Sequence, residues 1–360
     1  MKTIKKYEHK VAFHCESGTL RNLLKYAGLN VSEAMLFGIG TGVCFAYLKN
    51  AKGMSGFPVV AIRLPMGTIF KNIKKICGID IFIKKFKTTE EALVNLNQLV
   101  DANQPAAVSV DMFYMKYLPP FMQVHIPLHF ISIIGREGND YAVSDPYSPH
   151  IATLNVELLK SGWATHALFA NDNLIAYVKS IPANINWKQA IIKGFKTTCL
   201  NMLLPPIVSK ILPVFGVAGI KYYANQIPLW PTMAEGLALR EGILFNPTIL
   251  EEQGTGGGAF RMLYAAFLQE SAEIFNSSEL KELANRMAIN GEKWRDASRF
   301  VLKIGKQIPT DSRAYPDWLS KNKKTFYESL NEAKQLFIER SDDEKSIFTD
   351  LKKVTAGLKG

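Results

Sequence analysis

A change of hydrophobic period near residue 182 limits the fold more than any other feature of the chain. Upstream, apolar runs of strand length alternate with helix-spaced runs, separated by turn residues. Downstream, from Trp187 to Leu358, helix-period runs dominate and strand runs largely vanish. Mixed elements followed by helices predict an α+β domain and then a mainly α-helical one. The boundary falls at Ile181-Pro182-Ala183-Asn184, giving domains 1–182 and 183–360. A 48% hydrophobic content over 360 residues supplies a core for each.

In the first half, Leu20, Leu23, Leu24 and Ala27 recur at helical spacing over 19–26, and Gly28 is a natural stop. Ser32-Glu33 caps a short apolar helix, and Gly38-Ile39-Gly40-Thr41-Gly42 follows it. A dinucleotide fingerprint needs a strand before such glycines. A helix precedes them here, so they predict a tight turn where backbone meets backbone. Strands at 43–48, 58–63, 79–86 and 106–112 are interleaved with helices at 66–77 and 89–102. An irregular loop over 114–127 contains Pro119-Pro120. Runs at 129–136 and 140–144 flank Glu137-Gly138-Asn139 and predict an antiparallel hairpin. A helix at 156–161 and a strand at 174–178 close this half.

The chemistry concentrates on three residues. Cys15, in Phe13-His14-Cys15-Glu16-Ser17-Gly18, stands at the start of the first helix. There, unpaired N–H groups and the helix dipole favour a thiolate and can hold an oxyanion. His129 heads an apolar strand, and Asp145 ends its hairpin partner. His129 lies nine residues before Gly138 and Asp145 seven after it, which brings both to one end of the hairpin, within hydrogen-bonding reach. A thiolate needs a base, and the base an orienting acid. Cysteine, histidine and then an acid on paired strands is the order of papain-like enzymes. His14, Glu16 and Ser17 adjoin the nucleophile as oxyanion or cleft candidates. Asp111, ending the strand before the loop, and Tyr114 are candidate substrate contacts. His125 is expected to be solvated, and His150 and His166 have no evident partners. No H-E-x-x-H or paired-carboxylate spacing occurs, so neither a metal nor a cofactor is expected.

A net charge of +11 suggests an acidic partner. The lysines are scattered, with no zinc finger, helix-turn-helix or RNP-like motif, which argues against nucleic acid. Cys15, Cys44, Cys77 and Cys199 form no C-x-x-C pair, which fits a reducing compartment rather than a zinc ribbon or disulfide scaffold. The N-terminal residues lack the apolar core of a signal peptide, so a cytoplasmic setting is expected. Residues 199–220 are apolar and about as long as a membrane span. Pro205, Pro206, Pro213 and Lys210 interrupt them, so a kinked buried helix pair or channel wall is expected, with loose membrane contact left open. Gly254-Thr255-Gly256-Gly257-Gly258 opens onto a helix at 262–274, without the Gly-Lys-Ser/Thr of a P-loop. A homodimer is compatible with the sequence.

His14-Cys15-Glu16-Ser17 with Leu20, Leu23 and Leu24, Ser32-Glu33, Phe37-Gly38-Ile39-Gly40, His129-Phe130 and Asp145-Pro146 resemble the N-terminal domain of the butirosin biosynthesis protein H family. Trp230, Glu252, Gly254-Thr255-Gly256-Gly257, Phe260-Arg261, Tyr264 and Phe267-Leu268 resemble the helical domain often found behind it. The resemblance implies a papain-like domain with an antiparallel sheet and a Cys15, His129, Asp145 triad. It also implies transfer of an acyl group from an acyl carrier protein to a small-molecule amine or hydroxyl in bacterial specialised metabolism. Trp230, Thr255 and Arg261 join the candidate substrate contacts on the same ground. Peptidase relatives carry a glutamine about six residues before the cysteine for the oxyanion hole; His9 stands there here, which weighs against peptidase activity more than against acyl transfer. Two alternatives stay open: a cysteine hydrolase with the same triad, and a non-catalytic carrier-binding scaffold.

Overall fold

The computed structural model describes residues 3–49, 57–164, 172–204, 214–252 and 254–360. The chain divides into two compact units, residues 1–42 with 65–190 and residues 43–64 with 191–360.

In the first unit, helices α1 (Cys15–Tyr26) and α2 (Glu33–Ile39) lead the chain. The second unit then claims the hairpin β1 (Val43–Leu48) and β2 (Val59–Arg63). The first unit resumes with α3 (Thr68–Cys77), β3 (Asp80–Lys85), α4 (Thr89–Asp101) and β4 (Ala106–Val110). After a loop come β5 (His129–Glu137), β6 (Asp140–Ser144), β7 (Ala152–Asn155), α5 (Val156–Trp163) and β8 (Leu174–Ser180). Six strands form one antiparallel sheet in the order β3-β8-β4-β5-β6-β7.

Alternation along β5 explains its central place. Ile131 and Ile133 join a core with Leu96 and Val100 of α4 and with Leu159 and Trp163 of α5. Phe130 instead stacks on Phe70 of α3, centroids 5.3 Å apart, and its carbonyl accepts from the Thr19 hydroxyl of α1 at 3.1 Å. With seven consecutive buried residues, β5 has helices on both faces. The glycine cluster after α2 is a close approach: a Cβ on Gly42 would lie 2.3 Å from the Phe37 ring, and one on Gly40 2.8 Å from Ile69.

The second unit adds α6 (Trp187–Met202), α7 (Gly216–Gln226), α8 (Gly236–Glu251), α9 (Arg261–Phe275), α10 (Ser278–Gln307) and α11 (Tyr315–Gly357). Its centre is aromatic: Phe45 of β1, Tyr223 of α7, Phe337 of α11 and Trp294 of α10 close a ring in that order, with centroids of neighbours 5.0–6.0 Å apart. This explains why the hairpin leaves the domain in which the sequence places it. Residues 43–47 are buried without a break, and a two-stranded ribbon cannot bury both its faces alone. Along the chain, the first unit runs to Ala190 and the second resumes at Ile191.

The proline kink expected over 205–213 and His166 lie outside the described residues. Among the described residues, no helix is long and apolar enough to cross a membrane.

Candidate active site

The first turn of α1 is built to present one sulfur. His14 is its N-cap, with extended backbone angles of φ −122° and ψ 125°, and its Nδ1 accepts from the Ser17 N–H at 3.4 Å. The Glu33 carboxylate, at the first turn of α2, accepts from the N–H groups of His14 at 2.7 Å and Phe13 at 3.2 Å, and from the Ser17 hydroxyl at 3.3 Å. Arg21 lies 3.8 Å from Glu33 and donates to the carbonyls of Lys10 and Val11. Burial pushes the Glu33 carboxyl up, against the pull of the His14 and Phe13 N–H groups. The backbone of the segment before Cys15 is thus strapped down on both sides.

Cys15 is 2% exposed, with Sγ 3.9 Å from the Leu128 carbonyl at the head of β5. The next residue is His129. Its Nε2 lies 2.8 Å from Asp145 Oδ2, and Cys15 interacts with the same ring. His129 Nδ1 makes no hydrogen bond of standard geometry, which leaves that nitrogen for the sulfur. Tyr147 packs on the imidazole, centroids 4.8 Å apart. Burial alone lowers the His129 pKa; the charge and hydrogen bond of Asp145 outweigh it, Cys15 adds to them, and the pKa rises to about 10. An imidazolium beside a sulfur at a helix N-terminus suits a thiolate–imidazolium pair.

Asp145 is fully buried and saturated with donors. Oδ2 accepts from the Tyr117 hydroxyl at 2.8 Å as well as from His129, and Oδ1 accepts from the Tyr147 N–H at 2.8 Å. Burial, then the neighbouring Asp145 charge, pushes the Tyr117 hydroxyl well above its ordinary range.

The other candidates lie elsewhere or are already engaged. His9 does not point to an oxyanion site: Nδ1 is 2.8 Å from Ser144 Oγ, and Nε2 is 3.0 Å from the Ser148 carbonyl. His14 and Ser17 serve the helix cap. Glu16 is buried and accepts from the Phe70 N–H at 3.1 Å, completing the start of α3, whose own cap residue is Gly67. Asp111 is an anchor for the loop, accepting from the N–H groups of Phe113 and Ile126 and bonding His125 Nδ1 at 2.9 Å. His125 is exposed, as expected, and stacks on Phe113. Tyr114 packs on the sheet core.

Trp230, Thr255 and Arg261 are buried in the second unit. Trp230 packs against Phe57 and Tyr223. The Thr255 hydroxyl bonds the Leu250 and Glu251 carbonyls and the Gly257 N–H. Arg261 holds Glu344 through two hydrogen bonds of 2.7 and 3.0 Å and lies over the Trp294 ring.

Sequence reasoning missed Tyr117, Tyr147 and the strapping role of Glu33. Asp145-Pro146-Tyr147 does carry a signal, since an aspartate that bonds the N–H two residues on makes an Asx turn. Tyr117 carries none. Among the described residues, no group of three or more His, Cys, Asp or Glu side chains could hold a metal ion.

The domain described as Butirosin biosynthesis protein H, N-terminal, matches residues 14–146, a span that contains Cys15, His129 and Asp145. The Domain of unknown function (DUF4872) matches residues 158–351. Among solved structures, a C39-like peptidase from Bacillus anthracis aligns over 51% of this chain and 100% of its own, with 19% identity and a TM-score of 0.36. No curated protein matches the chain.

Proposed function

We propose a function for a chain that belongs to the family in which a butirosin biosynthesis protein H N-terminal domain is followed by DUF4872, and whose first unit carries Cys15, His129 and Asp145 on an α+β framework. It is a cysteine-dependent acyltransferase, moving an acyl group from an acyl carrier protein thioester to an amine or hydroxyl through an acyl-Cys15 intermediate. The observation that carries this reading is the 2.8 Å His129–Asp145 contact beside Cys15 at the first turn of α1.

The Cys15 thiolate attacks the thioester carbonyl, and N–H groups at the start of α1 hold the developing oxyanion. As the carbon–sulfur bond to the carrier breaks, His129 gives its proton to the departing thiol. It then takes a proton from the acceptor, whose nitrogen or oxygen attacks the acyl-enzyme and restores the thiolate. Asp145 keeps the ring oriented and charged. The net charge of +11 suits an acidic carrier protein by electrostatic steering, and four cysteines outside any disulfide suit a reducing cytoplasm.

Incubation with an acyl-carrier thioester, with and without a primary amine, followed by intact-mass measurement tests the reading. Acylation of Cys15 and an amine-dependent amide product are expected. Acylation that yields only free acid assigns the chain to the hydrolases, and full function in Cys15→Ala makes it a scaffold.

A further inference from the structure

One loop reaches both ends of the candidate site. Residues 112–128 leave β4 at Asp111, whose carboxylate holds the Phe113 and Ile126 N–H groups and so closes the base of the loop. At its far end, the Leu128 carbonyl lies 3.9 Å from Cys15 Sγ. Midway, the buried Met115 and Leu118 fix the segment from which the Tyr117 hydroxyl reaches Asp145 Oδ2 at 2.8 Å. His129 Nε2 bonds that same oxygen at the same distance. Asp145 Oδ1 has its own donor, the Tyr147 N–H. Two side-chain donors therefore divide the charge of one carboxylate oxygen in a site nearly without solvent, where each hydrogen bond is strong.

We propose that Tyr117 is a positioning residue of the Cys15–His129–Asp145 unit, sharing the Asp145 oxygen with His129 and so limiting how tightly that carboxylate grips the imidazolium. The inference rests on the function proposed above. An Asp145 without this donor would hold the proton on His129 too firmly for the second half of the reaction, in which the imidazole must accept a proton from the acceptor. The titratable groups acting on His129 are Asp145 and Cys15, and the side-chain donors on Asp145 are His129 and Tyr117.

The test uses the full chain acetylated on Cys15 by p-nitrophenyl acetate, following loss of the acetyl group to water across pH. Tyr117→Phe keeps the ring that fills the site and removes only the hydroxyl. A hydrogen bond to a charged group is worth about one pH unit in the midpoint of its partner, so the deacylation profile should move up by that amount. At pH 7 deacylation slows about tenfold, while carboxymethylation of Cys15 by iodoacetate, which needs only the thiolate, stays within about threefold of the parent. In an Asp145→Asn background the same substitution leaves the midpoint in place. An unmoved midpoint in Tyr117→Phe, or an equal movement in the Asp145→Asn background, overturns the role assigned to Tyr117 while leaving the triad intact. Failure of the parent protein to form acetyl-Cys15 overturns both.

Discussion

Asp145→Asn removes the charge that holds the His129 proton while keeping the shape of the side chain. With Asp145 in place the imidazole titrates near 10. Without it, burial is opposed by Cys15 alone, and the value falls to about 6.5, that of an ordinary imidazole. At pH 7.5 the charged imidazolium then drops from nearly all of the molecules to about a tenth of them, so Cys15 alkylation by iodoacetate should fall about tenfold. The same shift is a stability statement. A histidine whose folded pKa exceeds its unfolded value contributes stability that is whole below about pH 6.5 and lost as pH climbs through about 10. Most of that contribution is gone by pH 9. Urea unfolding of the parent should therefore show a midpoint that drops between pH 6 and pH 9, and that of Asp145→Asn one nearly flat over this window. Alkylation within threefold of the parent, or parallel pH dependences of the two midpoints, would refute the assignment of Asp145 as the charge that holds His129.

Glu33→Ala strips the acceptor from two backbone N–H groups and the Ser17 hydroxyl; it should cost about 2–4 kcal/mol in urea unfolding and slow Cys15 alkylation at least tenfold. His9→Ala should leave that alkylation within about threefold, because both ring nitrogens serve Ser144 and Ser148. In the second unit, Arg261→Met leaves Glu344 buried without its cation and should cost about 3–5 kcal/mol, read through tryptophan fluorescence because Trp294 Nε1 donates to Glu344. Gly258→Ala puts a Cβ 2.6 Å from the Gly291 carbonyl oxygen at a φ of +60° and should lower the melting temperature by several degrees.

Much of the first unit was legible because its signals are local. Period-two runs located β5 and β6 to within a residue, and counts of nine and seven residues on either side of Gly138 placed His129 and Asp145 at one end of their hairpin. The missing edge strand β7 is four residues long, too short to show an alternation. The destination of β1 and β2 was illegible, since a strand pattern records burial and not the partner that supplies it. Trp230, Thr255 and Arg261 illustrate the same limit: an aromatic, a hydroxyl and a guanidinium beside a glycine-rich loop read equally well as ligand contacts or as a buried network. In the structure Arg261 bonds Glu344, more than eighty residues away, a partner no local pattern announces. Tyr117 escaped notice because its distinction is one hydrogen bond across 28 residues of sequence.

Peptide mapping after incubation with an acyl-carrier thioester bears most directly on the reactive unit, applied to the parent and to His129→Ala. The acyl mass should appear on the peptide containing Cys15, not on those containing Cys44, Cys77 or Cys199, and should form at least a hundredfold more slowly in His129→Ala. An unmodified Cys15, or equal rates in the two proteins, would contradict a sulfur activated by its neighbouring imidazole.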